Sequence, residues 1–208
     1  ARLSTETDPA ILAALSHDVG HRSHYQSLGG DVATAVKMLQ HAAGQRSEWM
    51  QPEHVDAPVP GMKAWIEPQS LGVVGIISPW NFPINLAFGP LAGVFAAGNS
   101  AMLKPSELTP HTSALLAELV ARYFSADELT VVLGDADVGQ AFSGLPFDHL
   151  IFTGSTSVGK HVMRAAAENL VPVTLELGGK SPVVIDAGAD AEQAIDRTLT
   201  IKTFNAGQ

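Results

Sequence analysis

The sequence contains no cysteine in its 208 residues, so no disulfide, thiolate nucleophile or cysteine metal ligand can come from it. Positive charge is scarce as well. Twelve Lys and Arg stand against 21 Asp and Glu, a formal net charge of −9, with no basic run. That balance argues against a nucleic-acid surface, which needs clustered Lys and Arg to meet phosphates. No apolar stretch reaches the ~20 residues of a membrane-spanning helix. The most apolar segment, 86–97, is broken by Gly89, Pro90 and Gly93. The first residues, Ala1-Arg2-Leu3-Ser4-Thr5-Glu6, carry no secretory hydrophobic core, so a cytoplasmic location is the expectation. Also missing is the dinucleotide fingerprint G-x-G-x-x-G.

What is present alternates between helical and extended patterns. Residues 1–60 read as helical, with Ile11, Leu12 and Leu15, then Val32, Val36 and Leu39, at helix-like spacing. The stretch 50–60 is Pro-rich and reads as a loop, and 63–74 as extended. Strands are expected at 73–77, 101–104, 130–133, 150–153, 172–175 and 181–186. Helices are expected at 83–97, 110–124, near Val138, at 157–168 and at 191–205. Pro83 suits a first helical turn, Gly98 a C-terminal cap, and Thr109 an N-cap with Pro110 behind it. Strands alternating with helices over this span predict an α/β fold with a doubly wound parallel sheet, Rossmann-like in kind.

Such sheets bind ligands at the carboxyl ends of their strands. Phe152-Thr153-Gly154-Ser155-Thr156-Ser157-Val158-Gly159 leaves a strand and opens a helix. Gly154 would let the backbone turn sharply and Ser155 would cap the helix, whose free N–H groups can hold a pyrophosphate. The same residues also read as an ordinary serine-capped turn. Gly154 to Lys160 further spells G-x-x-x-x-G-K, most of a P-loop, but His161 stands where Ser or Thr must hold Mg²⁺. Lys104-Pro105-Ser106-Glu107 reads as a strand end with a solvated lysine and a surface carboxylate. Asn81, in Trp80-Asn81-Phe82-Pro83, reads as a helix N-cap. Glu176, between two leucines and followed by Gly178-Gly179, is unusual for a solvated face, and burial there would raise its pKa toward that of a general base; a glutamate at a strand's exposed end is the other reading. His17, His21 and His24 fall on one face of a helix with Asp18 beside them. A solvated face is the preferred reading, a metal site the other. Asp135 and Asp137 read as turn and cap residues.

Taken in order, Pro79-Trp80-Asn81-Phe82-Pro83, Lys104-Pro105-Ser106-Glu107, Phe152-Thr153-Gly154-Ser155-Thr156, Leu175-Glu176-Leu177-Gly178-Gly179 and Phe204-Asn205-Ala206-Gly207-Gln208 resemble the aldehyde dehydrogenase superfamily. Leu145-Pro146-Phe147-Asp148-His149 and Asn169-Leu170-Val171-Pro172-Val173-Thr174 are similar to its coniferyl aldehyde dehydrogenase branch, which implies apolar, aromatic or long-chain aldehydes. The resemblance implies NAD as cofactor, with NADP also compatible. It places the cofactor against Ile77, Ser78, Pro79 and Trp80, against Lys104, Ser106 and Glu107, and against Gly134. It adds Phe152, Thr153, Gly154, Ser155, Val158 and Gly159, and Leu177 with Gly178. Asn81 is implied to stabilise an oxyanion and Glu176 to activate water. The implied reaction oxidises an aldehyde to the acid through a cysteine thiohemiacetal and thioester. In the family the Gly-Gln run leads directly into that cysteine, so this chain is expected to carry the cofactor-binding half without the nucleophile and to be inactive alone. The implied layout is an N-terminal helical region at 1–62, a bridging segment at 63–74, a dinucleotide-binding domain at 75–180 and the start of a catalytic domain at 181–208. The complete enzyme is expected to be a homo-oligomer, with a small aldehyde as its partner. A non-catalytic nucleotide-binding module remains the reading from a different class.

Overall fold

In the computed structural model, residues 8–20, 22–205 and 207 are described. His21, Ala206 and Gln208, and the first residues up to Thr7, lie outside them. The chain opens with α1 (Asp8–Val19), a short helix α2 (His24–Gln26), a π-helical turn (Ser27–Val32) and α3 (Ala33–Trp49). Strands β1 (Glu53–Val55) and β2 (Ala64–Ile66) form an antiparallel pair. After these come β3 (Val73–Ile77), α4 (Asn85–Ala96), β4 (Ser100–Lys104), α5 (Pro110–Tyr123), β5 (Leu129–Val131), α6 (Ala136–Ser143), β6 (His149–Gly154), α7 (Thr156–Ala167), β7 (Val173–Leu177) and α8 (Ala191–Thr203). Strands β3 to β7 make one parallel sheet in the order β5-β4-β3-β6-β7.

Period-two alternation along the strands sorts the core into two layers. Val74 and Ile76 of β3, with Ala101 and Leu103 of β4, pack with α1, α4 and α5 through residues such as Leu15, Leu91 and Leu116. The intervening positions Ile77 and Met102 join Leu150, Phe152, Phe142 of α6 and Val162 of α7 on the opposite face. Helices therefore cover both faces, as a parallel sheet requires to hide its apolar sides. Burying each of these large side chains contributes about 1.5–3 kcal/mol.

The helix ends show how distant residues finish local structure. Gly98, at φ +80°, closes α4: its N–H donates to the Phe95 carbonyl and the Asn99 N–H to Val94, both at 3.0 Å. Thr109 occupies the N-cap position of α5 but makes no capping bond there. Asp18 caps that helix instead, accepting from the His111 and Thr112 N–H groups at 3.1 and 2.7 Å. Asp18 is thus a structural cap rather than a companion to a histidine metal site. Of those histidines, His17 lies against the His111 ring, and His21 is outside the described residues. Among the described residues no group of three His, Asp or Glu could hold a metal ion.

Two expected segments differ in secondary structure. Residues 53–55, expected in a loop, form β1. Its three residues are all exposed, so no buried alternation marked it in the sequence. Residues 181–186, expected as a strand, are irregular. A strand exists only through pairing, and Val183, Val184 and Ile185 are exposed without a sheet partner among the described residues. No helix among the described residues is long and apolar enough to cross a membrane.

Candidate functional site

Strand order reverses beside β3: β4 and β5 extend the sheet one way, β6 and β7 the other. Loops leaving β3 and β6 therefore part company at their carboxyl ends, and a crevice opens there. Register fixes what lines it. Ile77 sits beside Lys104 on one side and beside Phe152 on the other. A cavity of about 940 Å³ occupies this end of the sheet.

Most of the expected cofactor residues line it. Ile77, Ser78, Pro79 and Trp80 come from the end of β3, Lys104, Ser106 and Glu107 from the end of β4, and Phe152, Thr153, Gly154, Ser155 and Val158 from the turn into α7. Gly134, Gly159, Leu177 and Gly178 are not part of the lining, nor are Asn81 and Glu176. Lys160, the lysine of the P-loop-like run, is exposed and also lies outside it.

Three chemical features converge on the cavity. Ser155 caps α7, its Oγ accepting from the Val158 N–H at 3.3 Å, so the positive end of a helix opens there. Lys104, almost fully buried, donates to Glu107 at 2.7 Å. That hydrogen bond holds the Glu107 carboxyl below its ordinary value, and its side chain stays 42% exposed. An ionised, reachable carboxylate can accept hydrogen bonds from ligand hydroxyls. Finally, the Ser78 hydroxyl is buried with no hydrogen-bond partner among the described residues, an orphan that a ligand group can satisfy.

Gly154 serves for a reason other than the one expected. Its φ is not in the left-handed region; instead an added Cβ would fall 2.5 Å from the Phe152 ring. Glu176 is exposed near the end of β7, the reading of a strand-end glutamate rather than a buried one. β6–β7 pairing sets it directly beside Thr153 of the lining. Asn81 is not the N-cap of α4; Ile84 holds that position and makes no side-chain cap. Asn81 Oδ1 instead accepts from the Phe82 N–H at 3.1 Å.

Sequence reading missed two groups. Ala136, Gly139, Gln140 and Ser143 of α6 line the cavity, as do His161, Val162 and Ala165 of α7. Their i, i+3, i+4, i+7 spacing is the signal that could have found them. The other group, Arg22 and Asp31, gave no local signal, and its partners lie around Asn81 and at the start of α4.

The aldehyde dehydrogenase family model matches residues 2–208. The chain belongs to the aldehyde dehydrogenase family. Coniferyl aldehyde dehydrogenase of Pseudomonas sp. (strain HR199 / DSM 7063) is 64% identical over 203 residues, 98% of this chain and 42% of that protein. This aldehyde dehydrogenase chain thus spans well under half the length of that curated relative. The solved substrate-bound AldH of Staphylococcus aureus matches it at a TM-score of 0.94 and 40% identity, over 99% of this chain and 45% of that one. An aldehyde dehydrogenase from Bacillus cereus, solved as an NAD+ complex, matches at a TM-score of 0.89 and 31% identity, over 98% and 41%.

Proposed function

We propose that this chain is the cofactor-binding portion of an NAD(P)-dependent aldehyde dehydrogenase, acting on an aromatic, coniferyl-type aldehyde. The observation that carries the cofactor reading is the cavity at the β3/β6 switch point, where a capped helix terminus, a reachable carboxylate and an unsatisfied buried hydroxyl converge. These residues fit a dinucleotide. Ser155 and the first turn of α7 would hold its pyrophosphate, and Glu107, oriented by Lys104, would accept from its ribose hydroxyls. The carboxylate disfavours a 2′-phosphate, which supports NAD over NADP. The cofactor supplies the hydride acceptor. Asn81 donates its amide to the aldehyde oxygen as negative charge develops on it. Glu176 accepts a proton from the water that releases the acid. With Glu176 exposed in this chain, its activation depends on further protein covering the end of β7. Neither side chain lines the cavity, so these two roles rest on the family motifs. The substrate class rests on the 64% identity to the Pseudomonas coniferyl enzyme.

The reading is tested by following NADH formation with coniferyl aldehyde in the full-length polypeptide carrying these residues. Turnover that Asn81→Ala and Glu176→Gln each lower about a hundredfold supports it, the size expected for losing one oxyanion donor or one acid–base group. Full turnover in either variant removes that residue from the mechanism. No turnover of any aldehyde in the wild type contradicts the activity itself. The rival reading, a nucleotide-binding module, would bind NAD+ without turning over aldehyde.

A further inference from the structure

Resting on the oxyanion role proposed for Asn81, we infer that Arg22 and Asp31 are positioning residues for it, a buried clamp that fixes the 79–83 loop between β3 and α4. The loop has no regular structure of its own, and Asn81 lies in its middle, so something outside it must set its geometry.

Arg22 supplies one anchor. Its Nη1 donates to the Asn81 carbonyl at 2.8 Å, and its guanidinium carbon lies 5.0 Å from the centre of the Phe82 ring. Asp31 supplies the second. Oδ2 accepts from Arg22 Nη2 at 3.2 Å, while Oδ1 accepts from the Ile84 and Asn85 N–H groups at 3.1 and 2.6 Å. One carboxylate therefore ties the arginine to the first turn of α4, and the arginine ties back to Asn81. The pair is withdrawn from water, with side-chain exposures of 2% and 0%, so its geometry is held without solvent competition.

A third contact closes the arrangement. Asn205 Nδ2 donates to the same Asn81 carbonyl at 3.1 Å, and the Phe204 ring stacks 6.2 Å from Phe82. Gly30, adjacent to Asp31, makes room for that ring: an added Cβ would lie 2.8 Å from Phe204 Cζ. Charge alone could be served by a lysine at position 22. A single ammonium lacks the planar fork that reaches both the Asp31 carboxylate and the Asn81 carbonyl in fixed directions.

The test uses Arg22→Lys, with Asp31→Asn as a second variant in case the first fails to fold. In the full-length polypeptide the expected result is a loss of at least tenfold in kcat for aldehyde oxidation, with the Kd for NAD+ unchanged within twofold. In the 208-residue chain the Asn81 side-chain amide and the Phe82 N–H signals should shift in NMR spectra, while those of Thr153 to Val158 stay in place. A folded variant that keeps kcat, or that loses NAD+ affinity in step with kcat, overturns the clamp, as do unshifted Asn81 signals. If the wild type oxidises no aldehyde, the proposed function fails by itself, and the Asn81 signals decide the clamp.

Discussion

Arg22 donates to the backbone carbonyl of Asn81 at 2.8 Å across 59 positions of sequence. The same side chain neutralises Asp31, which is wholly buried. Removing one member of such a pair strands the other. Arg22→Met should therefore destabilise the chain by about 3–5 kcal/mol, measured by urea unfolding. The double variant Arg22→Met/Asp31→Leu should recover only part of that loss, because the Ile84 and Asn85 N–H groups then lose their acceptor. A double variant as stable as the wild type would show that those two bonds contribute nothing.

Asp31 also sets a pH dependence. Burial pushes its carboxyl up to about 6 from 3.8, outweighing the two N–H donors and Arg22, which hold it down. Burial acts on Arg22 in the corresponding sense, lowering its value, so both partners report the same desolvation. An acid whose folded value is raised contributes stability that is complete below its unfolded value and is lost as pH rises through its folded one. The window runs from about pH 4 to just above pH 6. Comparison with Asp31→Asn, which cannot titrate, isolates this group. The stability of wild type relative to that variant should fall by on the order of 2 kcal/mol between pH 4 and pH 7. A difference that instead grows in favour of wild type would mean that Arg22 and the N–H donors win.

Leu170 closes α7 in the manner in which Gly98 closes α4. Its N–H donates to Ala167 and the Val171 N–H to Ala166, both at 3.1 Å, with Leu170 at φ +56°. Only glycine, and less often asparagine, adopts that conformation without strain. The Leu170 side chain is 89% exposed, so it contributes little packing in return. Leu170→Gly should raise stability by about 0.5–1 kcal/mol, a Tm increase of roughly 2–4 °C. A lower Tm would show that the added freedom of the unfolded chain outweighs the relieved strain.

On the proposed reading, Glu107 is the residue through which cofactor choice would be altered. Glu107→Gln removes the negative charge that would repel a 2′-phosphate and leaves the buried Lys104 ammonium without its charged partner. The ratio of NADP+ to NAD+ affinity should rise at least about tenfold, the size of one charge-assisted hydrogen bond gained or lost. An unchanged ratio, read by titrating both dinucleotides, would place Glu107 outside the ribose contact.

The centre of the sheet was legible in the sequence because β3 is buried on both sides and reads as the apolar run Val73-Val74-Gly75-Ile76-Ile77. The strand-to-helix turn at Gly154-Ser155 was legible because capping is a local event. Illegible features depended on contacts far apart in the chain. Asp18 caps α5 from 93 positions away, and Asp31 reaches the start of α4 from 53. No window of neighbouring residues contains those relationships. Burial of Glu176 was expected because leucines flank it. Alternation on β7 instead turns Thr174 and Glu176 outward while Val173 and Leu175 pack inward.

The cavity at the ends of β3, β4 and β6 is, on the proposed reading, a dinucleotide site. Calorimetric titration of NAD+ into the folded 208-residue chain tests that most directly. Saturable binding of one NAD+ per chain is expected, weakened in Glu107→Ala by about tenfold or more. A folded chain that shows no saturable NAD+ binding would contradict it.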